Sequence, residues 1–214
     1  LRRNMVDGVI VNSLNIGAEA YAEMGLSLVG IDCDLGEASV QIASDSYSIG
    51  ELATRRLIDD GCSRILCLRN NSRMRMPANK RTDAYYDVVE QAGLPALVRE
   101  VEFVKSDDEK SAVVAKILDE NPDIDGIFAG DDTMAAICLN VMKQRGLSAP
   151  DDIKVVGADG ARRTMTFMPD LTTVRQDIDR IGELAAQSII ALVNGEKPES
   201  NIKLPVELIE GKTA

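Results

Sequence analysis

Histidine and tryptophan are absent from this chain, and aromatic residues make up only 3% of it. The missing histidine removes the commonest general base, proton shuttle and metal ligand. Ser-His-Asp and Cys-His catalysis and histidine-held metals are thereby excluded. No apolar run approaches the roughly 20 residues that a membrane span needs, and no signal-peptide pattern opens the chain. There is neither a Walker-type phosphate loop nor a GxGxxG following a strand. Internal repeats, low-complexity tracts and Pro-, Gly- or Ser-rich linkers are also lacking. The four cysteines, Cys33, Cys62, Cys67 and Cys138, form no CxxC pair and lie among apolar neighbours. They read as buried, reduced thiols of a cytoplasmic protein. Positive charge is scarce: 24 Lys and Arg stand against 35 Asp and Glu, a net charge of -11. Such a surface repels phosphate backbones, so these residues are not expected to bind DNA by themselves.

What is present is a regular alternation. Hydrophobic residues form 45% of the 214, enough to build one large domain or two small ones. Apolar runs at Gly8–Val11, Leu26–Ile31, Ile65–Leu68, Val101–Val104, Gly126–Ala129 and Lys154–Gly157 read as strands. Most are apolar on successive residues, as parallel strands buried on both faces are. Helical stripes separate them. Ser48 and Glu51 are spaced as a capping box, followed by Ile49, Leu52, Ala53 and Leu57 on one face, with Gly61 as the stop. Ala135, Cys138, Leu139 and Met142 form another stripe, opened by Asp131 or Asp132 and closed by Gly146. Ile181, Leu184, Ala185, Ser188, Ile189 and Leu192 form a third. This order predicts an α/β fold with parallel sheets flanked by helices.

In open α/β sheets, ligands bind outside the carboxyl ends of the strands. The residues that follow each predicted strand are Asn12, Asp32, a basic loop from Arg69 to Arg75 leading to Arg81, then Lys105, Asp131 with Asp132, and Asp159. Carboxylates accept from hydroxyls, amides both accept and donate, and arginine donates through a rigid fork. The set therefore suits a polyhydroxylated ligand. Each position has a plainer reading: Asp131 or Asp132 as a helix cap, Asp32 and Asp159 as turn residues, Arg81 as half of a surface ion pair. Paired carboxylates could also serve glycoside hydrolysis, and three aspartates could hold Mg²⁺ or Ca²⁺. Nothing marks a raised-pKa acid in an apolar pocket, and no cofactor is implied.

Several segments together resemble the lactose-repressor (LacI/GalR) family of bacterial transcriptional regulators. They are Asp7–Val11 (DGVIV), Gly61–Ile65 (GCSRI), Arg81–Tyr85 (RTDAY), Phe128–Ala135 (FAGDDTMA), Asp152–Asp159 (DIKVVGAD), Leu171–Asp177 (LTTVRQD) and Leu204–Leu208 (LPVEL). The similarity is collinear along the chain. Two positions depart from the family pattern: Cys62 stands where it has His, and Ala84 where it has Gly.

The resemblance implies a two-lobed, periplasmic-binding-protein-like fold crossed three times by the chain. Residues 1–44 with 174–197 would form a partial first lobe, and 45–173 with 198–214 the second. It implies effector contacts from Arg81, Asp131, Asp159 and Gln176, with Asn12 and Asp32 from the first lobe, around an interlobe cleft. It implies a homodimer that contacts operator DNA through a helix-turn-helix headpiece not contained in this sequence, and no membrane partner. Lys105 stands where sugar-binding relatives often carry a stacking aromatic. With Arg81 and Arg69 it would suit an anionic effector such as a sugar phosphate or sugar acid; alternatively it faces solvent. A transporter's periplasmic sugar-binding protein is the nearest rival reading, and a glycosidase the next.

Overall fold

The computed structural model describes residues 6–12, 26–33, 35, 39–71, 77–102 and 104–214. Among them are ten strands and six helices. In chain order these are β1 (Gly8–Asn12), β2 (Ser27–Ile31), β3 (Val40–Ser44), α1 (Ser46–Asp59), β4 (Ile65–Asn71), α2 (Lys80–Gln91), β5 (Leu97–Glu102), α3 (Asp107–Glu120), β6 (Gly126–Ala129), α4 (Asp132–Gln144), β7 (Lys154–Asp159), α5 (Arg162–Phe167), β8 (Thr172–Gln176), α6 (Ile178–Val193), β9 (Asn201–Leu204) and β10 (Val206–Ile209). No described helix is long and apolar enough to cross a membrane.

The described residues divide into two compact units. One takes its residues from Leu1–Asp45, Met76–Ala78 and Asp177–Pro205, the other from Ser46–Arg75, Asn79–Gln176 and Val206–Ala214. The first contains a four-stranded parallel sheet in the order β1-β2-β3-β9. Helix α6 covers it, packing Ile181 and Ala185 onto Val29, Val40 and Ile42. The unit boundaries differ from the sequence-based ones. Residues 201–204 pair with Gln41–Ser44 and so belong to the first unit, while residues 174–176 lie in β8 and belong to the second. The last change of unit falls at Pro205, where proline has no N–H to donate to a ladder.

The second unit holds a six-stranded sheet, β10-β8-β7-β6-β4-β5, parallel except for β10. Alternate residues of each strand feed opposite cores, because a strand's side-chain period is 2. Leu66, Leu68, Ile127, Ala129 and Val155 face α3 and α4. Ile65, Cys67, Phe128, Val156 and Ala158 face α1 and α2. Burial of each large apolar side chain stabilises the unit by roughly 1.5–3 kcal/mol relative to exposure. Tyr85 carries its hydroxyl into the second of these cores, where it donates to the Ile65 carbonyl at 2.7 Å and accepts from Leu97 N–H at 2.8 Å.

Some local expectations need correcting. Helix α1 begins at Ser46, so Ser48 and Glu51 lie inside it and are not a capping box. The capping box lies elsewhere, at Ser106 and Glu109. Strand β5 begins at Leu97 and ends at Glu102. Val104, expected in that strand, is 87% exposed beyond it, and Phe103 is outside the described residues. Of the cysteines, Cys62, Cys67 and Cys138 are buried, and burial raises the last two thiols to about 12. Cys33 is only half-buried and donates to the Val11 carbonyl.

Candidate functional site

The winding of the second sheet sets the position of a site. From β4 the chain runs through α2 to β5 on one side, then through α3 to β6 on the other. The carboxyl ends of β4 and β6 therefore flank the topological switch point, where a crevice opens in doubly wound sheets. The ladder between them closes with Gly130 N–H donating to Leu68 O at 2.8 Å. Beyond that bond, Asn70 Nδ2 donates to Asp131 Oδ2 at 2.7 Å.

Asp131 does two jobs. Its Oδ1 accepts from Met134 N–H at 2.8 Å, capping α4, so the cap belongs to Asp131 rather than Asp132. Its other oxygen is left to Asn70. Asp132 turns inward and is 3% exposed. It accepts from the Thr173 hydroxyl at 2.6 Å and from Gly160 N–H at 2.8 Å. Burial is the main reason its carboxyl is pushed up to about 6; the Thr173 bond pulls the other way, and Asp159 adds repulsion. Gly157 makes room for it, since a Cβ there would sit 2.5 Å from Asp132 Oδ1.

Asp159 ends β7 with φ of +113°, a region that residues with a side chain seldom adopt. Such backbone persists only where the surroundings over-determine it, and it gathers at ligand clamps. Two contacts and a neighbour hold it here. Arg81 Nη2 donates to Asp159 Oδ1 at 3.0 Å, and Gln176 Nε2 donates to the same oxygen. The next residue, Gly160, is pinned by Asp132. Burial holds the Asp159 carboxyl above its ordinary range, against the pull of the Arg81 charge.

Arg81 also donates through Nη1 to the Gly130 carbonyl, and its side chain is only 11% exposed. Its place depends on α1. A Cβ on Gly50 would fall well inside van der Waals contact of the Arg81 carbonyl oxygen, so α2 can approach α1 this closely only because residue 50 is glycine.

Of the residues singled out from the sequence, Arg81, Asp159 and Gln176 form one bonded cluster. Asp131 reaches the same edge through Gly130 and Asn70. Lys105 follows β5 at the rim of the sheet, half-buried, with Nζ 3.9 Å from Glu102 Oε1. Arg69 is an ion-pair partner of Glu100 on the neighbouring strand, and residues 72–76 lie outside the described residues. Asn12 and Asp32 belong to the first unit, at the carboxyl ends of β1 and β2, where Asp32 has φ of +51°. Asn70 and Thr173 were not singled out. Among the described residues no group of three or more His, Cys, Asp or Glu is placed to hold a metal ion.

Comparison with known proteins bears on the family and the fold. The profile of the periplasmic binding protein-like domain matches residues 54–214. The chain is 32% identical to the sucrose operon repressor of Pediococcus pentosaceus, over 100% of its own length and 66% of the repressor's. It is 30% identical to the ribose operon repressor of Halalkalibacterium halodurans, over 100% of its length and 64% of the relative's. It thus spans about two thirds of these relatives. Among solved structures, a complex of the transcriptional regulator CelR with cellobiose matches with a TM-score of 0.87 at 27% identity, covering 98% of this chain and 66% of that one.

Proposed function

The chain belongs to the periplasmic binding protein-like domain family, in the form carried by LacI/GalR-type transcriptional regulators, and on that footing we propose that it is the effector-binding part of a repressor controlling sugar use. The effector is a sugar or sugar derivative. It meets Arg81, Asp131, Asp159 and Gln176 at the carboxyl ends of the second unit's strands. Asn12 and Asp32 from the first unit, and Lys105, are further proposed contacts.

The observation that carries this reading is the Arg81–Asp159–Gln176 cluster beside the switch point. Its polar groups are bonded to one another and half-buried, and the strained Asp159 is held by those bonds. A polyol replaces such bonds one for one, hydroxyl for hydroxyl, at little net cost in hydrogen bonding. The names of the relatives support the sugar class, since they are repressors of sucrose and ribose operons.

The mode of action is a shift of population. An effector biases an equilibrium between two arrangements only by its difference in affinity for them. In a homodimer whose DNA-reading headpieces must meet two half-sites in register, such a shift alters operator affinity. The headpieces lie outside these 214 residues, and the protein works in the cytoplasm without a cofactor or catalysis.

A thermal-shift screen of the purified chain tests the reading. Sugars that bind the folded state raise the melting temperature by mass action. No shift with sucrose, ribose, cellobiose, glucose 6-phosphate or gluconate at millimolar concentration counts against it. Steady turnover of a nitrophenyl glycoside would instead establish a hydrolase.

A further inference from the structure

We propose that Asn70 determines which chemical group is seated at the switch point, and that the group it selects is an uncharged hydroxyl rather than a phosphate or carboxylate. This rests on the sugar-binding reading above and narrows it.

Asp131 would cap α4 equally well without Asn70, because the cap uses Oδ1 alone. The bond from Asn70 to Oδ2 contributes nothing to the helix. It ties the end of β4 to the end of β6 at the place where neighbouring connections diverge. A carboxylate only accepts, so the Asn70 atom facing Asp131 is the amide nitrogen. Its carbonyl oxygen is consequently turned away from Asp131. An ionised carboxylate has room for about four donors, and Asp131 has taken two. The switch point therefore presents two adjacent acceptors, Asp131 Oδ2 and Asn70 Oδ1, to whatever enters. Hydroxyl groups donate to both; phosphate and carboxylate oxygens donate to neither and meet a negative charge.

Among the described residues, the neighbouring cations do not reverse that charge. Arg69, on the same strand, is matched by Glu100, and Lys105 lies by Glu102. Arg81 is matched by Asp159, with Asp132 behind it. Arg162 and Arg163 open α5 past Gly160 and are exposed. On this reading the effector is neutral, in place of the anionic one suggested by Lys105 and Arg69.

Calorimetric titration of the full chain with sucrose, ribose and cellobiose, and with ribose 5-phosphate, provides the test, alongside the variants Asn70→Ala and Asn70→Asp. The parent is expected to bind one of the neutral sugars, and ribose 5-phosphate at least tenfold more weakly. Asn70→Ala is expected to weaken the neutral sugar about tenfold while melting within a few degrees of the parent. Asn70→Asp sets two carboxylates side by side, which share one proton at low pH and repel at high pH. Its affinity relative to the parent is expected to fall about tenfold between pH 5 and pH 8, a change that a purely structural role for Asn70 would not produce. Failure of every probe to bind the parent overturns the sugar reading and this inference with it. Neutral-sugar binding left unchanged by both variants, or a parent that prefers ribose 5-phosphate, overturns this inference alone.

Discussion

Arg81, at the start of α2, donates to Asp159, at the end of β7, across 3.0 Å and 78 positions of sequence. The pair brings a guanidinium fork and a strained carboxylate together at the carboxyl edge of the second unit's sheet. Burial holds the Asp159 carboxyl above its ordinary range even with Arg81 beside it. The native state is thus more tolerant of a neutral side chain there than the unfolded chain is.

A substitution that removes only the charge should separate stability from function. Asp159→Asn keeps the shape, tolerates positive φ and retains an acceptor for Arg81. At neutral pH it is expected to melt at or above the parent, yet to bind the effector at least tenfold more weakly. A variant that binds as tightly as the parent would show that Asp159 is not a contact.

Asp132 makes stability depend on pH in an uncommon direction for a carboxylate. Its folded pKa is about 6, against about 3.9 for an unperturbed aspartate. Between those values the native state keeps a proton that the unfolded chain has released, so stability falls as pH rises through the window. The loss amounts to about 3 kcal/mol once both states are ionised. Asp132→Asn has no such titration. Urea unfolding from pH 3.5 to 7.5 should show the variant gaining on the parent across that window; a constant difference would contradict the assignment.

Thr173 is the side-chain donor to the buried Asp132, at 2.6 Å, beside the Gly160 N–H. Thr173→Val preserves volume and leaves Asp132 Oδ1 without that partner. The expected cost is about 1–3 kcal/mol at neutral pH, measured by denaturant unfolding. At pH 4, where the native Asp132 is protonated, the cost should shrink.

Gly50 couples α1 to the site through the backbone of Arg81. Gly50→Ala forces the two helices apart and is expected to destabilise the unit by roughly 1–3 kcal/mol. Effector affinity should fall as well, because Arg81 moves with α2. Unchanged affinity in a folded variant would show that the guanidinium is placed independently of this helix contact.

The alternation of apolar runs and helical stripes made the α/β class readable, and strand-end reasoning reached Arg81, Asp131 and Asp159 without knowledge of contacts. Gln176 came only from the resemblance of Leu171–Asp177, since its own strand looks no different from a loop approach. Asn70 escaped notice because it sits in a polar stretch after Leu68 that reads as loop, although β4 continues to Asn71. Thr173 is a buried hydroxyl in a strand whose neighbours are also threonine and valine, so nothing local marks it. Strand β3 alternates buried and half-buried residues over only five positions and includes a glutamine, too short a pattern to stand out. The boundary near residue 200 differs from the compact units because β9 is four residues long and depends on pairing with β3, a partner distant in sequence.

The measurement that bears most directly on the central claim is calorimetric titration of the parent chain and of Arg81→Ala with the sugar that gives the largest thermal shift. A saturable heat in the parent that disappears in a folded Arg81→Ala variant is the predicted result. Equal binding by both proteins would place the sugar elsewhere, and the absence of any sugar bound by the parent would contradict the account as a whole.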